Sequence, residues 1–194
     1  MKFIVGPPPE NQDFEPNNQG WTRLREPKLE AMMLRALPLT VVLGLGVLLL
    51  WVGFTPCRIN EINLLWSVVA IPFCVPLHEI SHALAFPAAG WMVRTTFGVW
   101  PSRLAFYADY RGSLSRNRTV TILVFPFLLL SIVPLLTCGV LGIAPSVVVY
   151  ASICNAFLSS IDFVSILLVL SQVPGKAVIR QQDGKAWWIE EDHS

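Results

Sequence analysis

The chain has 194 residues, of which 54% are hydrophobic and only 14% charged, with a formal net charge of +1. Soluble domains carry about 25% charged residues, so this composition excludes an ordinary water-soluble globule. Fourteen Lys plus Arg against thirteen Asp plus Glu also excludes the basic excess that nucleic acid demands, and the expected partner is the lipid bilayer.

Residues 1–33 are rich in Pro, Asn, Glu and Gln and lack an apolar period, which predicts a flexible tail. That stretch is too long and too acidic for the head of a cleaved signal peptide, so the first apolar run is expected to stay in the protein. Four runs can span a bilayer, at about 34–54, 62–88, 119–143 and 146–171. The second is interrupted by Pro72, Pro76 and Pro87, which predicts a kinked or broken helix.

Thirteen of the fourteen Lys and Arg residues fall in the N-terminal tail, the connection 89–118 and the C-terminal tail, leaving only Arg58 on the opposite side. The positive-inside rule then places both termini and the long connection in the cytoplasm of a multi-pass cell-membrane protein. Within the connection, residues 93–99 and 104–110 alternate apolar and polar, predicting two strands. Further on, 178–180 and 186–189 flank Asp183-Gly184, a hairpin signal, with Trp187 and Trp188 as headgroup anchors in the tail 172–194. The expected fold is thus an all-α membrane protein of about four transmembrane helices over 34–171, with a small cytoplasmic β element.

The second run contains H-E-I-S-H, from His78 through Glu79 to His82. On a helix, positions four apart share a face, so the two imidazoles can hold one metal ion while Glu79 stands beside its open coordination position. Inside a membrane span such a cluster costs roughly 2.5–3.5 kcal/mol per charge, which marks it as functional. His193, the third histidine, belongs to the acidic tail and is expected to be solvated. Cys57, Cys74, Cys138 and Cys154 are widely spaced and form no C-x-x-C pair. Cys74, one turn ahead of His78, is read as a small packing residue rather than a ligand.

A catalytic zinc generally keeps three protein ligands and a water. Apart from the motif itself and Arg35 at the edge of the first run, Asp162 is the one acid or base inside the predicted spans. Depth agrees: Asp162 is nine residues from position 171, and His78 and His82 are ten and six from position 88, on spans that run in the same direction. Asp162 also ends a stripe of Ser152, Asn155, Ser159 and Asp162 along one helical face, which should point into the bundle. Ser152 and Ser159 are expected to bond between helices. Asn155 offers an amide to a substrate carbonyl or a developing oxyanion. Pro76 bends the axis near His78 and can open a path for water. Zn2+ on His78, His82 and Asp162 with Glu79 as general base predicts hydrolysis of peptide bonds in membrane or membrane-proximal proteins.

With H-E-I-S-H in a proline-interrupted span, the long insert, N-A-F-L-S-S-I-D over 155–162 and V-P-G-K-A-V-I-R-Q-Q-D-G-K-A-W-W in the tail, the chain resembles multi-pass bacterial membrane proteins described as putative zincin peptidases, over roughly 35–190. More distantly it is similar to site-2 proteases, which pair an intramembrane H-E-x-x-H with a later Asp. The resemblance implies Asp162 as third ligand and a membrane-embedded peptidase fold. It departs from the site-2 pattern in having Phe163 after Asp162 and no proline between Asn155 and Asp162. The rival reading is a membrane regulator or scaffold that binds metal without catalysis, against which the presence of Glu79 counts. Too few histidines are present for a di-iron or bis-His haem protein, and four spans without a repeat disfavour a transporter.

Overall fold

A computed structural model describes residues 1–8, 14–16, 20–57, 65–103, 105–182 and 184–190. Arg58, Leu104, Asp183, His193 and the predicted start of the second span at 62 lie outside the described residues. In chain order the elements are β1 (Lys2–Val5), β2 (Thr22–Arg23), α1 (Leu29–Phe54), α2 (Leu65–Leu84), α3 (Trp91–Arg94), β3 (Thr95–Trp100), β4 (Ala105–Tyr110), β5 (Leu114–Ser115), α4 (Arg116–Phe127), α5 (Val133–Leu141), α6 (Ser146–Gln172), β6 (Ala177–Gln182) and β7 (Lys185–Glu190). A π turn at Leu128–Ile132 joins α4 to α5.

Among the described residues, three helical stretches are long and apolar enough to cross a membrane: Glu30–Phe54, Arg116–Leu141 and Ser146–Gln172. They match three of the predicted spans within a few residues. α2, counted as a span in the sequence reading, is not among them; its 20 described residues include Pro72, Pro76, His78, Glu79 and His82. It nevertheless packs against α4 and α6 as a member of the bundle.

The bundle is polar inside and apolar outside. His78, His82, Ser131, Ser152, Asn155 and Ser159 are buried, while Leu34 is 68% and Val140 88% exposed. Such a large apolar exterior is at home in lipid and not in water. The tightest seam joins α1 to α6. Thr40, Gly44, Val47 and Trp51 recur at intervals of four, three and four along α1. Thr40 Oγ1 donates to Ser160 Oγ at 2.8 Å and Trp51 Nε1 to Ser152 Oγ at 3.0 Å. At Gly44 an added Cβ would fall 1.8 Å from the Phe157 ring, so the ring lies where any other residue would put a side chain.

Two sheets stand at one end of the helices. One has the order β1-β3-β4, with β1 parallel to β3 (Phe3 opposite Phe97) and β3 antiparallel to β4 (Phe97 opposite Ala108). The other has the order β2-β7-β6-β5 and draws its strands from the N-terminal segment, the insert and the C-terminal tail. The predicted strands 93–99 and 104–110 become β3 and β4, although residues 91–94 form a helical turn, and the predicted hairpin becomes β6–β7 with Gly184 at φ +66°. The N-terminal segment departs from expectation. It supplies β1 and β2 and buries Phe14 and Leu24, because strands of four and two residues gain their order from cross-strand bonding and show almost no internal alternation. A cluster of Ala83, Ala85, Phe86, Tyr110 and Ile122 fastens the end of α2 to β4 and α4. This cluster fixes the motif helix against the sheet.

Candidate metal centre

His78 and His82 lie one helical turn apart on α2 with ring centroids 4.8 Å apart and planes at 87°. Each has one ring nitrogen engaged from outside. His78 Nδ1 lies 2.9 Å from Asn155 Oδ1, and His82 Nδ1 lies 2.9 Å from the Ile122 carbonyl oxygen. Ile122 O can only accept. Asn155 Oδ1 is also an acceptor, because the Asn155 amide nitrogen donates to Pro126 O at 3.0 Å and to Ser131 Oγ at 2.9 Å. Both neutral imidazoles therefore carry their proton on Nδ1 and present the Nε2 lone pair inward.

What those lone pairs face is Asp162, brought in from α6. Its Oδ2 lies 3.1 Å from His78 Nε2 and its Oδ1 3.4 Å from His82 Nε2. Asp162 Oδ2 is buried, and among the described residues its polar neighbour is the imidazole edge of His78. Three acceptors converging in a buried pocket repel one another unless a cation is shared among them. A tetrahedral zinc with bonds of about 2.0–2.1 Å needs its ligand atoms about 3.3 Å apart, and the two imidazole-to-carboxylate separations of 3.1 and 3.4 Å are of that size. The donor set fits zinc in chemistry and in size. His78, Glu79 and His82 likewise form a group whose ligand atoms lie within 4.8 Å of one another.

The local sequence explains this arrangement. Pro126 has no N–H, so the carbonyl four residues before it in α4, that of Ile122, is left without its helical donor and accepts from His82. The π turn that follows, in which Val133 N–H bonds back to Leu128 O, distorts the ladder again and leaves Pro126 O to Asn155. Ser131 and Ser152 lock the same level through reciprocal hydroxyl-to-carbonyl bonds of 2.8 and 3.0 Å. Signals for these positioning roles exist in the sequence only as a proline and a serine inside a span.

Asn155 serves differently from the sequence expectation. Both of its amide hydrogens are engaged by Pro126 O and Ser131 Oγ, so it has none left for an oxyanion, and its oxygen orients His78. Ser152 bonds between helices as expected, whereas the buried Ser159 Oγ has no hydrogen-bond partner. Cys74 packs against α6 with its thiol 3.8 Å from Ala151 O.

Glu79 bridges the histidine pair and the first sheet: a carboxylate oxygen lies within 4.8 Å of a ring nitrogen of each histidine. Its Oε2 accepts from Ala108 N–H on β4 at 3.1 Å. It lines a cavity of about 320 Å³ walled by Pro76, Ile80, Phe97, Phe106 and Tyr107, with Met1, Lys2 and Phe3 of the N-terminal strand at its edge. Among the described residues, Glu79 is the sole carboxylate lining it. Residues 71–178 match the protein family described as putative zincin peptidase. The chain belongs to that family. No curated protein and no solved structure matches it, so the likeness to site-2 proteases rests on the residues alone. Membership accords with the motif, since a zincin peptidase uses the two histidines of H-E-x-x-H for metal and its glutamate for proton transfer.

Proposed function

We propose that this zincin-family member is a membrane-embedded zinc metallopeptidase that cleaves peptide bonds of membrane or membrane-proximal proteins, with zinc held by His78, His82 and Asp162. The observation that carries the reading is the meeting of the Asp162 carboxylate with both Nε2 atoms at 3.1 and 3.4 Å, on helices far apart in sequence. Bound zinc supplies a polarising charge for the scissile carbonyl and acidifies water. Asn155 and the Ile122 carbonyl hold the two imidazoles in the Nδ1–H form, which keeps their inward nitrogens basic.

Glu79 is the general base. It takes the proton of the attacking water at a carboxylate oxygen and returns it to the leaving amine, while the Ala108 N–H fixes the carboxylate's orientation. The apolar cavity beside Glu79 suits a peptide segment with hydrophobic side chains, and its aromatic walls exclude bulk water from the reacting group. The sheets, the N-terminal segment and the C-terminal tail lie at one end of the bundle, the end that carries thirteen of fourteen cationic residues. We take that end to be cytoplasmic.

The test compares wild type with Glu79→Gln, both purified in detergent. Both are expected to hold about one zinc per chain. Only the wild type should cut hydrophobic peptides at a useful rate, the variant being slower by about 10²–10⁴-fold. Equal turnover in the two would remove Glu79 from the mechanism, and loss of metal from a folded His82→Ala variant is the companion result expected of the ligand set.

A further inference from the structure

A further cavity draws its lining from strands of both sheets, and its chemistry is the opposite of that beside Glu79. It is a cleft of about 630 Å³ lined by Lys2, Val93, Arg94, Arg111, Gly112, Ser113 and Arg180. These residues come from β1, α3, the link between β4 and β5, and β6, so four separate pieces of chain each deliver a cation to one hollow. Among the described residues no carboxylate lines it. Burial holds the Asp109 carboxyl above its ordinary range while Arg111 favours its ionisation, and Arg180 has an interaction of its own within the protein.

Gathering like charges in one concave site costs free energy that only an anion can recover, and guanidinium groups are the side chains best matched to phosphate oxygens. Arg94 and Arg111 are held side by side, since Arg111 N–H donates to Arg94 O at 3.0 Å. Arg111 Nε is buried and makes no hydrogen bond among the described residues. Arg180 stacks its guanidinium 4.3 Å from the Phe14 ring and adds its charge to the opposite wall. Ser113 offers a hydroxyl.

The rim is apolar and outward-facing. Val93, which lines the cleft, is 80% exposed, and Met92 beside it on α3 is 63% exposed. Cations flanked by projecting apolar side chains fit the level of the bilayer where phosphate groups lie above acyl chains. We propose that this cleft binds a phosphate group, most naturally the headgroup of an anionic phospholipid at the membrane surface. Lys2 lines both this cleft and the cavity beside Glu79. A bound phosphate therefore holds β1 in place along β3, and with it the Met1–Phe3 edge of the cavity next to the proposed catalytic base.

The test uses the full chain in nanodiscs and in detergent, with native mass spectrometry for retained lipid and hydrogen exchange for β1. Nanodiscs of phosphatidylcholine alone are compared with equal parts phosphatidylcholine and phosphatidylglycerol, and a separate arm adds inorganic phosphate in neutral detergent. The wild type should retain phosphatidylglycerol in preference to phosphatidylcholine and slow exchange over residues 2–5 when it does. Arg94→Gln plus Arg111→Gln should weaken retention about tenfold or more. Arg94→Gln alone, at an exposed position, should do so in part and keeps the test valid if the double variant misfolds. Protection by inorganic phosphate, lost in the same variants, would assign the site to a soluble phosphate. Equal retention of both lipids with no response to phosphate, or variants that bind like wild type, would overturn the proposal. Zinc content is read in parallel, so that failure of this site is distinguishable from failure of the metal centre.

Discussion

A proline inside α4 has no N–H for the carbonyl four residues before it, and at position 126 that carbonyl is the acceptor of His82 Nδ1–H. Pro126 thus shapes the metal centre twice, through Ile122 O on the His82 side and through its own carbonyl, by way of Asn155, on the His78 side. Pro126→Ala restores a helical donor to Ile122 O, which then competes with His82. Zinc affinity, read by chelator competition, should fall by about 10–100-fold with the helix intact. Asn155→Ala should lower it by a similar factor from the other side, since His78 loses the partner that selects its tautomer. An Asn155 acting on an oxyanion would instead leave affinity unchanged and slow turnover, so the two measurements separate the roles. H-E-I-S-H was legible because its spacing is local, and Asp162 because an acid alone in an apolar helix is conspicuous. The orientation of the Asn155 amide was not, because it is decided by acceptors on another helix.

Elements differ in how far their own residues determine them. The three long apolar helices and the β3–β4 and β6–β7 hairpins follow from hydropathy, period and turn residues, and their observed bounds lie within a few residues of expectation. β1, β2 and β5 are shorter than any period can reveal and exist because β3, β7 and β6 offer edges. The α1–α6 seam depends on a single absent side chain. Gly44→Ala would place a methyl against the Phe157 ring, and because Phe157 is 44% exposed the ring can swing aside, so the cost should sit near the low end of overpacking, about 1 kcal/mol. Phe157→Ala should abolish that cost, and a double-mutant cycle measures the coupling. In the second sheet, Glu26 Oε2 reaches Ala186 N–H at 3.5 Å, and burial raises its carboxyl above the ordinary range, opposed by that bond and by Arg23. The folded state therefore holds this proton more tightly than the unfolded chain. As pH rises from the ordinary carboxylate value toward the raised one, the unfolded chain ionises first and stability falls. Glu26→Gln should flatten that fall, which thermal unfolding in detergent across mildly acidic pH would register.

At the scale of the whole molecule, the two sheets join three regions that are remote in sequence, and this constrains how the chain sits in a membrane. β2 precedes α1, β5 precedes α4, and β6–β7 follow α6, yet they form one sheet. All must share one side. That side carries thirteen of fourteen Lys and Arg residues, so a cation bias read from sequence and a pairing pattern set by backbone hydrogen bonds select the same end of the bundle. Glu79 lies five residues before the last residue of α2, about 8 Å along the helix axis at 1.5 Å per residue, which sets the proposed base close to the sheet-bearing end of the bundle. Single cysteines in a background lacking the native four check this arrangement: Ser113→Cys and Lys185→Cys at the sheet end, and Ile143→Cys at the other. In intact cells a membrane-impermeant maleimide should label Ile143→Cys alone, and the other two only after the membrane is opened. Labelling of Ser113→Cys and Lys185→Cys from different sides would contradict the shared sheet, whereas the same pairing with inverted access would keep the sheet and move the peptidase site to the outer face.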